Sequence, residues 1–231
     1  MTPRWSPARV AAAAVLAAWA GLFWFVWLAD RTTLYLSTRT AWLVPLGAIL
    51  ATISAAGRLA SARVERPEHL GRRETVVLGV ITVPVVLLLS LPPATLGSYA
   101  VDRRTTSAGI GTSARIVSGS LDLVDIAAAR SVKSASAELR SRAGEQVTME
   151  GFVTIDPGET DRFQLTRFVI TCCVADATIS YVTVVDAPPG EFANDDWVRV
   201  TGRIYPLGAD ILVDASSVEP IPPPADPYLT P

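Results

Sequence analysis

Cys172 and Cys173 are the only two cysteines in this 231-residue chain, and a carboxylate, Asp176, stands three residues after them. Thiolates ligate soft metal ions, act as nucleophiles and form disulfides. The stretch Arg167-Phe-Val-Ile-Thr-Cys-Cys-Val-Ala-Asp-Ala177 is therefore where chemistry is to be sought. Three readings stay open from the residues alone. Both thiols are core residues, free cysteine being among the most buried types. Alternatively, a thiolate, Asp176 and groups from a partner hold a soft or divalent metal ion. The third reading is a redox or intermolecular disulfide role, since a bond between neighbouring cysteines closes a strained ring. Neighbouring side chains of an extended strand point to opposite faces. Cys172 is thus expected beside Phe168 and Ile170, and Cys173 beside Val169 and Thr171, with one thiol buried and the other facing a pocket or partner. Metal-ligating candidates are Cys172, Cys173 and Asp176. Catalysis is not expected: the single histidine, His69, lies in an arginine-rich segment and reads as a solvated loop residue. Acidic surroundings also raise a thiol pKa rather than lower it.

The surroundings of that segment follow from composition. Half the residues are apolar and 18% are charged, close to ordinary values, but their distribution is uneven. Residues 1–143 hold 16 basic and 8 acidic side chains, a net +8, whereas residues 144–231 hold 4 and 14, a net −10. A single soluble globular domain is excluded by the long apolar runs, nearly all of which precede residue 102.

Val10–Ala29, Thr40–Gly57 and Thr75–Val101 contain no charged residue. At about 1.5 Å per residue the first run just covers a hydrocarbon core of about 30 Å and the third exceeds it, whereas the second is shorter and Ala-rich, the weakest of the three. Spans are expected at about 10–29, 40–57 and 75–99. The first run ends in FWFVWLAD without a small-residue cleavage site, so it reads as an uncleaved span rather than a signal peptide. Pro84 should kink the third span and Pro92-Pro93 should stop it. Arg58, Arg63, Arg66, Arg72 and Arg73 cluster after the second span, which places that connector and the N-terminus in the cytoplasm. With three spans the acidic C-terminal part lies outside the plasma membrane. Ion pathways are normally marked by ionisable residues within the bilayer, and these spans have none. They carry small residues at helical spacing, Ala13, Ala17 and Gly21, then Gly47, Ala51 and Ala55, which suit close helix packing.

Residues 102–120 read as a Ser/Thr/Gly-rich linker, followed by one helix over 121–142 with a thin apolar face, a loosely packed spacer. Within 144–221 the period becomes two. Runs at 147–153, 163–173, 181–185, 197–205 and 210–218 predict five strands, separated by turns at Pro157-Gly158, Pro188-Pro189-Gly190 and Pro206-Leu-Gly208. Such short strands favour closure into a small barrel. VTMEGFV and VRVTGRI each place a glycine inside a strand, the mark of a bulge or sharp bend. The second of these runs, with DILVDA after it, resembles the last two strands of an OB fold. The fold class is therefore a three-span α-helical membrane part plus an all-β, OB-like five-stranded barrel, ending in a Pro-rich tail at 222–231. Nucleic acid is excluded as a partner, since 144–221 holds 4 Arg, no Lys and 13 acidic residues.

The spans, the barrel, the Arg167-to-Ala177 motif and the closing WVRVTGRI…Pro-Pro…Pro-Tyr228 together resemble a bacterial family. These are the two-component permease subunits with a DUF1980-type C-terminal domain, the YcgQ-like group. The resemblance covers most of the chain and its specific part is Cys-Cys-x-Ala-Asp-Ala. It implies an accessory subunit acting beside a multi-spanning permease of the UPF0718 type, with links to metal homeostasis in some members and no transferable role for Cys172, Cys173, Asp176 or Ala177. The leading expectation is thus a non-enzymatic permease subunit, embedded in the lipid bilayer, whose acidic external domain gates or binds a substrate, a divalent cation fitting its charge. The alternative is a membrane-anchored envelope protein-binding or assembly module without transport. A thiol enzyme is the least favoured reading.

Overall fold

A computed structural model describes residues 4–65, 67–91, 95–101, 103, 120–156, 158–159, 161–187, 190–208 and 210–231. The expected linker, the Pro92-Pro93 stop, Arg66 and the turn residues Pro157, Pro188 and Pro189 lie wholly or mainly outside the described residues. The chain divides into two units: Met1–Thr32 with Thr40–Ala94, and Thr33–Arg39 with Thr95–Pro231.

The first unit is built on α1 (Pro7–Leu28), α2 (Leu43–Ala60) and α3 (Arg72–Ser90). Proline at the first position of α1 supplies a preset φ where no N–H partner is needed. At the start of α3 the Glu74 carboxylate turns back to accept the Gly71 N–H at 3.1 Å. All three helices are long and apolar enough to cross a membrane, with mean hydropathies of 2.0, 1.6 and 1.8. Their surfaces stay mostly open, with Leu50, Ile53, Val80, Val83 and Leu89 all exposed. Helices apolar all round belong in lipid or against other apolar helices, so this part fits a membrane protein. The third helix continues through Pro84 and ends at Ser90, short of the expected 99. Leu91, which precedes a proline, is extended (φ −87°, ψ 135°), the conformation a following pyrrolidine ring enforces.

Of the small-residue stripe on α1 only Ala13 is covered within the structure. Ala13, Ala20 and Leu22 are buried, while Ala17 and Gly21 are exposed and no atom lies within 4 Å of where a Gly21 Cβ would be. On α2 the stripe is used in part, since Gly47 lets the Phe23 ring approach to 3.4 Å of its would-be Cβ. Indoles are satisfied across helices, Trp24 donating to Thr52 Oγ1 at 3.1 Å and Trp19 to the Ile81 carbonyl at 3.2 Å. In β1 (Arg4–Trp5) the chain pairs with β2 (Arg63–Val64), so the N-terminal segment and the α2–α3 connector lie together. Ser6 N–H to Ala62 O and the Arg9–Glu68 ion pair at 2.9 Å reinforce that junction.

The second unit holds α4 (Ser98–Val101), α5 (Leu123–Ser131), α6 (Lys133–Ser141) and the strands β3 (Gln146–Thr154), β4 (Phe163–Val169), β5 (Thr178–Val185), β6 (Trp197–Leu207) and β7 (Asp210–Pro220). The strands close in the order β3-β4-β5-β7-β6, antiparallel except for the parallel β5–β7 pair. This is the OB arrangement expected above. Apolar alternation buries Val147, Met149, Leu165, Val182, Val200 and Val213 inside, and cross-strand pairs such as Glu150–Arg199, at 2.8 Å, lie outside. A register shift falls between Thr201 and Gly202, where the glycine-in-strand pattern predicts one.

The region before the barrel differs from the single loose helix expected. Val132 breaks it into α5 and α6. Leu121, Leu123, Ile126, Ala135 and Leu139 are almost wholly buried in the barrel's own hydrophobic core. The break turns two short apolar faces inward where one straight helix could present only one. The 222–231 tail is also folded onto the barrel. Leu229 brackets Val169, exchanging hydrogen bonds with Phe168 O and Ile170 N–H, both at 2.9 Å. Buried Tyr228 accepts the Leu96 N–H at its hydroxyl, at 3.0 Å.

Candidate functional site

The cysteine segment begins where β4 ends. Val169 makes the last ladder pair with Thr178, four residues earlier than the predicted strand end at Cys173. Ile170 then anchors in the core, Thr171 and Cys172 form a bend, and Val174–Asp176 closes a 3₁₀ turn. Because the chain leaves the extended conformation here, the strand rule of opposite faces does not hold. Both thiols lie to one side with their Sγ atoms 3.6 Å apart, Cys172 exposed and Cys173 half-buried. Neither is the core residue that a strand would have made of one of them.

Asp176 organises the bend. Its Oδ1 accepts the Thr171 N–H at 3.0 Å and its Oδ2 the Cys172 N–H at 2.8 Å. Burial pushes the Asp176 carboxyl up, but the Cys172 thiol and the amides of Cys172, Thr171 and Cys173 outweigh it and hold the carboxyl below its ordinary value. The same contact acts in reverse on the thiol. Hydrogen bonding to the Asp176 carboxylate, then to Cys173, pushes Cys172 up to about 12. A thiol held up in this way is a poorer nucleophile at neutral pH than a free one. One ligand atom from each of Cys172, Cys173 and Asp176 lies within 4.8 Å of the others, so the structure brings together all three residues singled out from sequence.

The α1–α2 connector completes the site, and sequence reasoning missed it. Leu36 bridges Cys173 antiparallel. Ser37 N–H donates to Cys172 O at 3.1 Å, Ser37 Oγ to Thr171 O at 2.9 Å, and Val174 N–H to Tyr35 O at 2.9 Å. Ser37 is only 1% exposed. The available signal was the alternation of Leu34 and Leu36 with Tyr35 and Ser37, a short strand pattern inside a connector. Arg167, at the start of the motif, has a structural task. Its guanidinium donates to the carbonyls of Asp226 and Pro227 and lies 5.4 Å from the Trp197 ring centroid, holding the tail; burial lowers its pKa.

Apart from the cysteine bend, a concavity of about 340 Å³ lies on the β4–β5–β7 face beside Asp156, Glu159, Gln164, Tyr181 and Asp210. Its polar groups are largely paired among themselves, Gln164 with Asp156 at 2.8 Å and Arg162 with Glu159. His69 is exposed in its loop, remote in sequence from any described ligand cluster.

Residues 126–231 match the family model described as the DUF1980 C-terminal domain. Over these residues the chain is similar to a DUF1980 C-terminal domain. The match takes in the barrel, the cysteine bend and the docked tail, and begins inside α5 at buried Ile126. No curated protein and no solved structure matches the chain. Within the matched residues, the cysteine bend is the described group whose donor set suits a cation.

Proposed function

We propose that the protein is an accessory subunit of a two-component membrane permease, with α1–α3 docked on a multi-spanning partner of the UPF0718 type and the acidic DUF1980-like domain handling a cationic substrate outside the plasma membrane. One observation carries this reading. Between their terminal turns the three apolar helices have no ionisable residue, and their surfaces are open. Such helices offer a polar cargo no path of their own, yet they leave broad apolar faces for a partner. The net −10 of residues 144–231 raises the local concentration of cations.

The proposed orientation draws on two pairings, each internal to one unit. The N-terminal β1 pairs with β2 of the α2–α3 connector, and the α1–α2 connector pairs with the cysteine bend. Three crossings put each of these pairs on one side, and the arginines of the α2–α3 connector favour the cytoplasm for the first pair.

Purification of the tagged full-length chain from its native cell in mild detergent, with mass spectrometry of what stays bound, tests the reading. A stoichiometric multi-spanning protein is the expected companion. Recovery with envelope proteins only would replace the permease subunit with a membrane-anchored binding module.

A further inference from the structure

We propose that Cys172, Cys173 and Asp176 form an open three-ligand site for a thiophilic metal ion of the Zn²⁺ or Cu⁺ class. The donor set decides the class. Two sulfurs and one carboxylate are too few oxygens for Ca²⁺ or Mg²⁺, which take six or more hard ligands, whereas thiolates select soft and borderline ions. The geometry also fits. Zn–S bonds of about 2.3 Å at a tetrahedral angle hold two sulfurs about 3.8 Å apart, and the thiols already stand 3.6 Å apart on one side of the bend. Asp176 accepts the amides of Thr171 and Cys172, and also the Cys173 amide and the Cys172 thiol. A carboxylate has about four acceptor directions, and the one held by the thiol is released when that thiol gives up its proton, so a metal can take it without dismantling the bend. On binding, each ligating thiol gives its proton to solvent and donates a lone pair to the ion; nothing is oxidised or reduced.

Three protein ligands leave a position open, for water or for a ligand offered by the next carrier, as a site that hands its ion on requires. Exposure of Cys172 keeps that position reachable. The backbone of the two cysteines is held by Leu36 and Ser37, so fixing the thiols also fixes the connector that runs directly into α1 and α2. As a cargo site this inference rests on the permease reading; as a binding site it rests only on the bend.

The experiment uses the full-length chain in detergent, reduced with a phosphine and stripped of metal, titrated with Zn²⁺ against a chelating dye and with Cd²⁺ to count thiolates by their charge-transfer absorbance. One ion per chain with two thiolates per ion is expected. Single Cys172→Ser, Cys173→Ser and Asp176→Asn variants should each weaken binding at least about tenfold, since even outer partners of ligands cost about 10–100-fold. Hydrogen exchange at the Ser37 and Val174 amides should slow on Zn²⁺ addition. Binding equal to that of the double Cys172→Ser/Cys173→Ser variant overturns the proposal, as does one ion shared by two chains. Unchanged affinity in Asp176→Asn removes the carboxylate from the site. Metal binding without a co-purified permease would sink the transport reading and leave this site standing; a permease partner with no metal binding would do the reverse.

Discussion

Replacing Gly202 by alanine should damage the barrel more than any other Gly→Ala change in it. Gly202 sits at the register shift of β6, opposite Ala215 of β7 and Val147 of β3. A Cβ there would overlap the Asp214 carbonyl oxygen and lie 2.9 Å from both the Asp214 carbonyl carbon and Val213 Cγ1. Ordinary carbon contacts are about 3.5–4.0 Å, so β7 must retreat by roughly 0.6 Å or more. The strand spacing of about 4.7–4.9 Å is set by the ladder itself, and the nearest obstacle is backbone, which cannot rotate away. Overpacking costs about 1–3 kcal/mol, and two loosened ladder hydrogen bonds add about 1 kcal/mol each. The expected loss is about 3–5 kcal/mol, a large share of the roughly 5–15 kcal/mol that holds a domain together. Gly151→Ala meets Thr166 O at 2.7 Å but otherwise the Leu165 side chain at 3.1 Å, which can shift, so about 2–3 kcal/mol is expected. Gly208→Ala has open space around it and only its φ of +71° to oppose it, worth about 1 kcal/mol. Hydrogen exchange of β6 and β7 peptides in the full-length chain, followed through a denaturant series, reads the three opening free energies. A Gly202→Ala loss below about 0.5 kcal/mol, or one smaller than that of Gly208→Ala, would refute the close-approach argument.

Two further outcomes follow from titration. In a Cys173→Ser variant, labelling of Cys172 by a membrane-impermeant maleimide should climb steadily from pH 7 to about pH 9 without levelling, because hydrogen bonding to Asp176 keeps the thiol protonated well past the ordinary range; Asp176→Asn should level off earlier, and identical profiles would remove the Asp176 effect. Burial, with the Asp122 carboxylate next to it, raises the Asp125 pKa, although the Asp122 N–H pulls it down. An acid with a raised folded pKa destabilises the fold above that pKa, and the penalty vanishes below its unfolded value. Asp125→Asn keeps an acceptor for the Asp122 N–H and should therefore raise the melting temperature at pH 7 while leaving it unchanged at about pH 3; equal shifts at both pH values would point to packing instead.

Much of the architecture was legible in local pattern. Uncharged runs of membrane length mark the three helices, because a hydrocarbon core admits no other long apolar element here. Alternation over Val147, Met149 and Val153, and over Trp197 to Ile204, marks strands whose inner face must be buried, and Gly202 marks the bulge because no side chain fits between β6 and β7. The members of the cysteine cluster were legible for a similar local reason, that thiols and a carboxylate so close in sequence can hardly be far apart in space.

Their relative orientation was not. Opposite faces for Cys172 and Cys173 follow from an unbroken strand, and the chain bends at Thr171 and Cys172, whose amides Asp176 gathers, before it is extended again at Cys173. Nor could periodicity reveal that residues 33–39 fold against that bend, since hydrogen bonds between Ser37 and Thr171 join segments 134 positions apart. The small-residue stripe of α1 is covered only at Ala13 for the same kind of reason: Ala13, Ala17 and Gly21 define a face, but only packing against α2 and α3 selects which part of it is covered. The sequence by itself determined which segments become helix or strand and which groups can do chemistry, because those depend on nearest neighbours along the chain. Tertiary structure alone decided that the α1–α2 connector braces the two thiols and that the C-terminal tail is part of the barrel, because each rests on contacts between residues distant in sequence, whereas the shared side of the thiols comes from the local bend that Asp176 closes.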